Sequence, residues 1–450
     1  MMRLSWTQPE DLLPHALAAA DLDGRDTADI RERWLAAGGN ADPAASGASP
    51  EPAPEPLRAL ARELLSALDR IPDPEHLLAD EPDDLTGTFA NAAVPLLPDN
   101  APADRADRVH GAWLGRAAGC LLGKPVEKLP LEGIRAIARA TGNWPLHAYF
   151  TEHGLDPATA AQYPWNRRSR PTSLAENIDG MPEDDDLNFP LIALHLLERH
   201  GRAFTTADVA QAWLDLLPAG RVFTAERITY RNLLDGREPE TAGRVGNPFR
   251  DWIGAQIRTD LYGWASPGDP REAARLALQD ARLSHGRNGL YGAVFTAAAS
   301  AAAVTGASVA TSIAAGLALV PPRSRYAKAI RRGLELAHGD LGDEAAIDLL
   351  HDEYGHLHWV HVLNNAALLA FALARGSGDF ERTVTLAVSG GWDTDSVGAT
   401  AGAIAGAATG AGKLPAHWIA PLDDRLATSV PGFAGARFTA LAIRTMEVSQ

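Results

Sequence analysis

An all-α fold is predicted by three features of the 450-residue sequence. Apolar residues recur at spacings of three and four through 106–123, 190–200, 207–217, 271–283, 292–320, 325–337, 360–374, 380–388 and 396–411, the period of helices with a buried face. Alternation of apolar and polar residues between hairpin turns, the strand signature, is nearly absent. Two segments place glycine at every fourth position: Gly111, Gly115, Gly119 and Gly123, then Gly398, Gly402, Gly406 and Gly410. A hydrophobic content of 46% with 22% charged residues is that of a globular chain.

Taken in order, residues 1–105 read as a helical extension. Short helices in "PEDLLPHALAAADL" and "DTADIRERWLAAGG" precede "NADPAASGASPEPAPEP", a Pro/Ala/Ser stretch of linker composition. "LRALARELLSALDRI" makes a further helix before a Pro/Asp-rich connector, and residues 106–450 then read as one compact multi-helix domain. The N-terminal "MMRLSWTQPEDLLPH" lacks the apolar core of a secretory signal. The most apolar runs, near 293–304 and 397–411, fall short of the ~20 residues of a bilayer span, so a soluble cytoplasmic protein is expected. A formal charge of −16 argues against a nucleic-acid partner. The single cysteine, Cys120, excludes an internal disulfide framework and a thiolate zinc site.

Glycine inside a helix costs roughly 0.5–1 kcal/mol relative to alanine, so four in each of two helices call for a packing reason. Residues at i and i+4 share a face, and each ladder therefore offers a bare groove to another backbone. The chemistry lies at the ladder ends. Glu127 follows Gly123 by four residues, whereas Asp393, Asp395 and Ser396 open the second ladder. If the two helices pack antiparallel, these carboxylates meet at one end of the bundle.

A second acidic cluster, Glu183, Asp184, Asp185 and Asp186 in "MPEDDDLNFPLIALHLLERHG", stands just before a helix. One or two acids there would complement the helix dipole and cap free N–H groups. Four in succession repel one another, and "DTDS" repeats the arrangement, so a divalent cation is expected between them. The candidate ligands are oxygens, including the hydroxyls of Thr394 and Ser396, which suits Mg²⁺, Mn²⁺ or Ca²⁺ better than zinc or copper. Two helix starts can hold a pair of ions about 3.5–4 Å apart.

"GAWLGRAAGCLLGKPVE", "EDDD" at a helix start and "GGWDTDSVGATAGAIAGA", in this order, resemble the ADP-ribosylglycohydrolase family, which includes dinitrogenase-reductase-activating glycohydrolase; the match covers about 106–415. The resemblance implies an all-α fold with a binuclear Mg²⁺ (or Mn²⁺) centre at the base of an ADP-ribose cleft. It carries metal-ligand roles onto Glu183, Asp184, Asp185, Asp393, Asp395 and Ser396, and an active-site role onto Glu127. The chain departs from the family pattern at several positions. Glu183 replaces a threonine, Ser396 replaces a threonine but keeps the hydroxyl, and Cys120 follows Gly119 where the family has aspartate. The implied reaction is glycosidic cleavage at C1″ through an oxocarbenium-like state, assisted by Glu127 or by Asp185 with a water at the metals.

The same resemblance places Ser284 and His285 in "DARLSHGRNGLYGAVF" near the diphosphate and adenosine region, with Asn288, Gly289 and Tyr291 beside them as substrate-binding candidates. "VGNPFRDWIGAQIRTDLYGW" offers rings for a base, and "HDEYGHLHWVHVLNN" holds four histidines, a rival transition-metal site. The leading expectation is an Mg²⁺-dependent glycohydrolase acting on an ADP-ribosyl group, on protein or small molecule. The alternatives are a hydrolase of a small ribosyl or nucleoside metabolite and a non-catalytic ADP-ribose-binding module.

Overall fold

The structure is a computed structural model that describes residues 3–449; Met1, Met2 and Gln450, at the outer ends of the two units above, lie outside it. The described residues form helices from Pro9–Leu22 to Phe438–Glu447 with short 3-10 turns between them, and no strand is present among them. At the centre runs Arg287–Ala303, a helix in which each residue is buried. Its alanines and glycines let neighbours close in from every side, among them Pro270–Ala281, Val309–Ala318 and Thr394–Thr409. No described helix is long and apolar enough to cross a membrane.

The two glycine ladders do pack face to face and antiparallel, and their helices, Pro102–Gly123 and Thr394–Thr409, form the most extensive helix pair in the molecule. A Cβ at Gly111, Gly115 or Gly119 would overlap the carbonyl oxygen of Gly406, Gly402 or Gly398 respectively. At the last rung Gly123 faces Thr394, whose hydroxyl donates to the Gly123 carbonyl oxygen at 2.8 Å. Gly410 is not a rung. It ends the second helix at φ +85°, a conformation that favours glycine.

The extension has a small core of its own, built from Leu13, Leu17, Ile30, Trp34, Leu64 and Leu68. It is also fastened to the larger body by buried polar contacts. Arg325 pairs with Asp23 (2.9 Å) and Glu81 (2.7 Å), Arg287 pairs with Asp73 (2.8 Å) and Asp23, and Asn288 Nδ2 donates to Glu81 at 2.8 Å. The Pro/Ala/Ser stretch forms no helix between Ala36 and Glu55, yet part of it lies on the body, where Trp359 Nε1 donates to the Ala45 carbonyl oxygen at 3.0 Å.

Candidate metal centre and cleft

The ladder register decides the site. It brings the end of Pro102–Gly123 and the start of Thr394–Thr409 to one place, and one carboxylate oxygen each from Glu127, Asp393 and Asp395 lies within 4.8 Å of the others. The helix Asp185–His200 starts beside them. Asp184 caps it, its carboxylate accepting the Asp186 N–H at 2.9 Å, and also pairs with Lys124 Nζ. Asp393 holds the equivalent position ahead of Thr394–Thr409 but makes no side-chain capping bond. Its N–H donates to Asn365 Oδ1 at 3.3 Å. The preceding Trp392, at φ +59°, stacks on His351 with ring centroids 4.1 Å apart. His351 Nε2–H in turn donates to the Gly390 carbonyl oxygen at 2.7 Å, so this turn is braced from both sides.

Lys124, Glu127, Asp184, Asp393 and Asp395 line the floor of a cleft of about 720 Å³. Burial pushes the Asp393 carboxyl well above the usual range, and Asp395 adds repulsion. Burial, then Glu127 and Asp184, push Asp395 up to about 7. Asp185 and Asp186 move upward through burial and the charge of Asp184. Burial opposes charge on Asp184 too, but Lys124 holds its carboxyl below the ordinary value. Burial likewise opposes the Lys124 ammonium, and Asp184 more than reverses that effect. Two lysines, Lys124 and Lys128, face a larger number of carboxylates, and the residual repulsion is what a bound cation would relieve. The donor set fits a hard divalent ion. It consists of carboxylates and hydroxyls, and the one thiol nearby, Cys120, is driven toward its protonated form by burial.

Of the residues expected at the site, Glu127, Glu183, Asp184, Asp185, Asp393, Asp395 and Ser396 all line the cleft. Glu183 stands at its edge with its carboxylate engaged by the Ser429 N–H (3.0 Å), Asn188 Nδ2 (3.2 Å) and Arg221 (3.1 Å). The Ser396 N–H donates to Asp395 Oδ1 at 3.1 Å. Thr394, offered above as a hydroxyl ligand, is instead committed to the Gly123 carbonyl.

Ser284, His285, Asn288, Gly289 and Tyr291 are not brought to the cleft lining. Ser284 Oγ accepts from Arg258 Nη2 at 2.9 Å, and Arg258 pairs at 2.7 Å with Glu226, which does line the cleft. Ser284 thus stands behind the wall. His285 is buried against Ser284, its Nδ1 2.8 Å from Ser284 Oγ, and a Cβ at Gly289 would overlap the Arg250 carbonyl. Tyr291 donates to the Pro82 carbonyl at 2.7 Å and Asn288 bonds Glu81, both partners belonging to the extension.

The histidine tract forms no metal-type group among the described residues. His358 stacks on Trp252 (4.4 Å), and His361 accepts the Leu363 N–H at the start of a helix. Burial pushes their pKa values down to about 3 and about 4. Trp264 packs on Trp113 in the core, whereas Ile253 and Gly254 of the same segment reach the cleft.

Sequence reasoning did not single out Lys124, Arg221, Asn365 or Trp359. Lys124 alone carried a local signal, a cation directly after the last ladder glycine. The others are joined to the site by contacts between separate elements, Arg221 with Glu183, Asn365 with Asp393 and Trp359 with Lys128.

No curated protein matches the chain. A solved structure described as an ADP-ribosylglycohydrolase-related protein complex shares 24% identity, with 77% of this chain and 100% of that chain covered and a TM-score of 0.47, a likeness too loose to assign atoms. The family model described as ADP-ribosylglycohydrolase matches residues 101–449. With the all-α fold and the acidic floor, that match makes this chain a member of the ADP-ribosylglycohydrolase family, a hydrolase of the glycosylase class.

Proposed function

We propose that the chain is an Mg²⁺-dependent enzyme, with Mn²⁺ as the other candidate ion, that hydrolyses the C1″ N- or O-glycosidic bond of an ADP-ribosylated substrate at a binuclear centre. The observation that carries this reading is the convergence of Glu127, Asp393 and Asp395 on the floor of the cleft. Asp184, Asp185, Asp393, Asp395 and Ser396 would hold two cations, with Glu183 at the edge. When bound, the ions supply Lewis-acid binding of the ribose diol and electrostatic stabilisation of developing charge. In this reading Asp184 exchanges part of its ion pair with Lys124 for a cation, and Lys124 keeps the floor from carrying too much negative charge.

Glu127 is the residue assigned to the proton. Its Oε2 accepts from Asn166 Nδ2 at 2.6 Å and its Oε1 lies 3.1 Å from Lys128 Nζ, two donors that fix the carboxylate's orientation. From there Glu127 accepts the proton of the attacking water as the C1″ bond opens with oxocarbenium character, and the leaving nitrogen or oxygen departs with the bonding pair and takes up that proton. Asp185, half-buried on the cleft wall, is the second candidate for this step.

Incubation with Mg²⁺ and ADP-ribosyl-arginine, ADP-ribosyl-serine or a nucleoside panel tests the reading. Release of ADP-ribose is expected, with Glu127→Gln slowing it by about 10²–10⁴-fold. Absence of turnover on every ribosyl compound, together with no retained metal, would reject it.

A further inference from the structure

The family match begins at residue 101, yet Ser5, Trp6, Ser46 and Gly47 of the extension line the cleft together with Glu127, Asp185 and Trp359. They belong to two straps. In the first, Arg227 Nη1 donates to the Ser5 carbonyl (3.0 Å) and hydroxyl (2.6 Å), and the Trp6 ring packs edge-on against Phe249 and Trp252 with centroids 5.5 and 5.6 Å apart. In the second, Trp359 Nε1 holds the Ala45 carbonyl at 3.0 Å. The straps are joined to each other. The Trp6 N–H donates to the Gly47 carbonyl, and Gly47 lies so close to the indole that a Cβ there would enter the ring.

A run of contacts leads from the second strap to the proposed proton-transfer residue. Lys128 Nζ sits 5.2 Å from the centroid of the Trp359 ring that holds Ala45, and 3.1 Å from Glu127 Oε1. The strap is therefore two side chains away from Glu127. Nothing suggests a loose cover: Ser49 donates its N–H to Asp11 at 3.0 Å, Arg3 pairs with Glu10 at 2.9 Å, and the ion pairs at Arg325 and Arg287 fix the extension from the other side.

We propose that these two straps are the substrate-selecting wall of the cleft: they bound the space beside Glu127 into which the group leaving C1″ must pass, and so restrict the enzyme to small-molecule ribosyl conjugates. This rests on the glycohydrolase reading of the site. A folded protein bearing an ADP-ribosyl group would have to displace a strap held by Arg227, Trp359 and Trp6, whereas a small leaving group passes the remaining rim, where Lys128, Arg167, Arg168 and Arg221 are exposed.

The test compares the full chain with Gly47→Val, which wedges the straps apart, and Trp359→Phe, which removes only the donor to Ala45. The fold of each is checked by thermal unfolding. Calorimetry with Mg²⁺ measures binding of free ADP-ribose, and kcat/KM is measured for ADP-ribosyl-arginine and for a mono-ADP-ribosylated folded protein. The wild type should favour the small conjugate by at least about tenfold, and either variant should narrow that preference several-fold while still binding ADP-ribose. Equal use of both conjugates by the wild type overturns the inference without any variant. So does a preference left unchanged in a variant that folds and binds ADP-ribose. If ADP-ribose does not bind and neither conjugate is turned over, the glycohydrolase reading itself fails and the wall proposal fails with it.

Discussion

Gly119 and Gly398 face each other across the ladder contact, and the carbonyl oxygen of each occupies the space where the other's Cβ would stand. Overfilling this contact should separate the helices that bring Glu127 to Asp393 and Asp395. Gly119→Ala is expected to cost about 1–3 kcal/mol, read by urea unfolding, and to weaken Mg²⁺ binding as well. Gly87→Ala is the control, because nothing lies within 4 Å of a Cβ there. It should be neutral or stabilise by up to about 1 kcal/mol. Equal effects of the two substitutions would sink the close-contact account.

Lys124 and Asp184 are a buried ion pair, with side-chain exposures of 8% each. Removing one partner leaves the other charge uncompensated in a low-dielectric site. Lys124→Met should therefore destabilise the metal-free protein by about 3–5 kcal/mol. Added Mg²⁺ should recover part of that loss, since cations would then neutralise Asp184. Denaturant curves with and without Mg²⁺ measure both quantities, and a variant as stable as wild type in chelator would contradict the pairing.

Asp393 lies at a helix N-terminus without capping it. Replacing it should thus spare the fold and remove the cation. Asp393→Asn is expected to abolish turnover and to weaken Mg²⁺ affinity, with thermal unfolding in chelator unchanged or slightly raised because one repelling charge is gone. Isothermal titration with Mg²⁺ checks this, and unaltered affinity would remove Asp393 from the ligand set.

The acidic floor also predicts how stability depends on pH. The Asp395 carboxyl is pushed up to about 7, against about 3.9 in an unfolded chain. Below the lower value both states hold the proton and no penalty arises. Between the two values the unfolded chain has released a proton that the folded carboxyl still holds, so the metal-free protein loses stability as pH rises from about 4, and the loss is complete once pH passes the folded value. Asp185, Asp186 and Asp393 shift in the same direction. Mg²⁺ binding offsets the repulsion only where the carboxylates are ionised, so the Mg²⁺-induced rise in Tm should be small near pH 5 and should grow up to about pH 8. Thermal scans over that range test it; a constant increment would mean that this cluster is not where the cation binds.

Much of this was legible in the sequence. The periodicity marked the helices, the twin glycine ladders implied a close helix pair, and the acids at their ends implied a shared site. Each of these is a local pattern that the helix repeat converts directly into a face or an end. Thr394 shows where such reading stops. Its hydroxyl looked like a ligand, but it faces Gly123 and hydrogen-bonds its carbonyl, a choice made by the rotation of one helix against another. Ser284 and His285 show the same limit. Their motif is local, but Glu226 and Asp280 clamp Arg258 between the Ser284–His285 corner and the cleft, so those side chains bond inward.

By itself, then, the sequence determined the all-helical class, two glycine-lined helix faces open to close packing and the carboxylates at their ends, whereas the antiparallel pairing that brings those ends together was settled only in the fold. Backbone periodicity and the absence of side chains at the glycines are sufficient for that. Only the tertiary structure decided that Lys124 neutralises Asp184, that Glu183 is held by Ser429 and Arg221, and that Trp6 and Gly47 wall the cleft. Those contacts join residues from 38 to 246 positions apart. They depend on side-chain packing between distant elements, which no local pattern records.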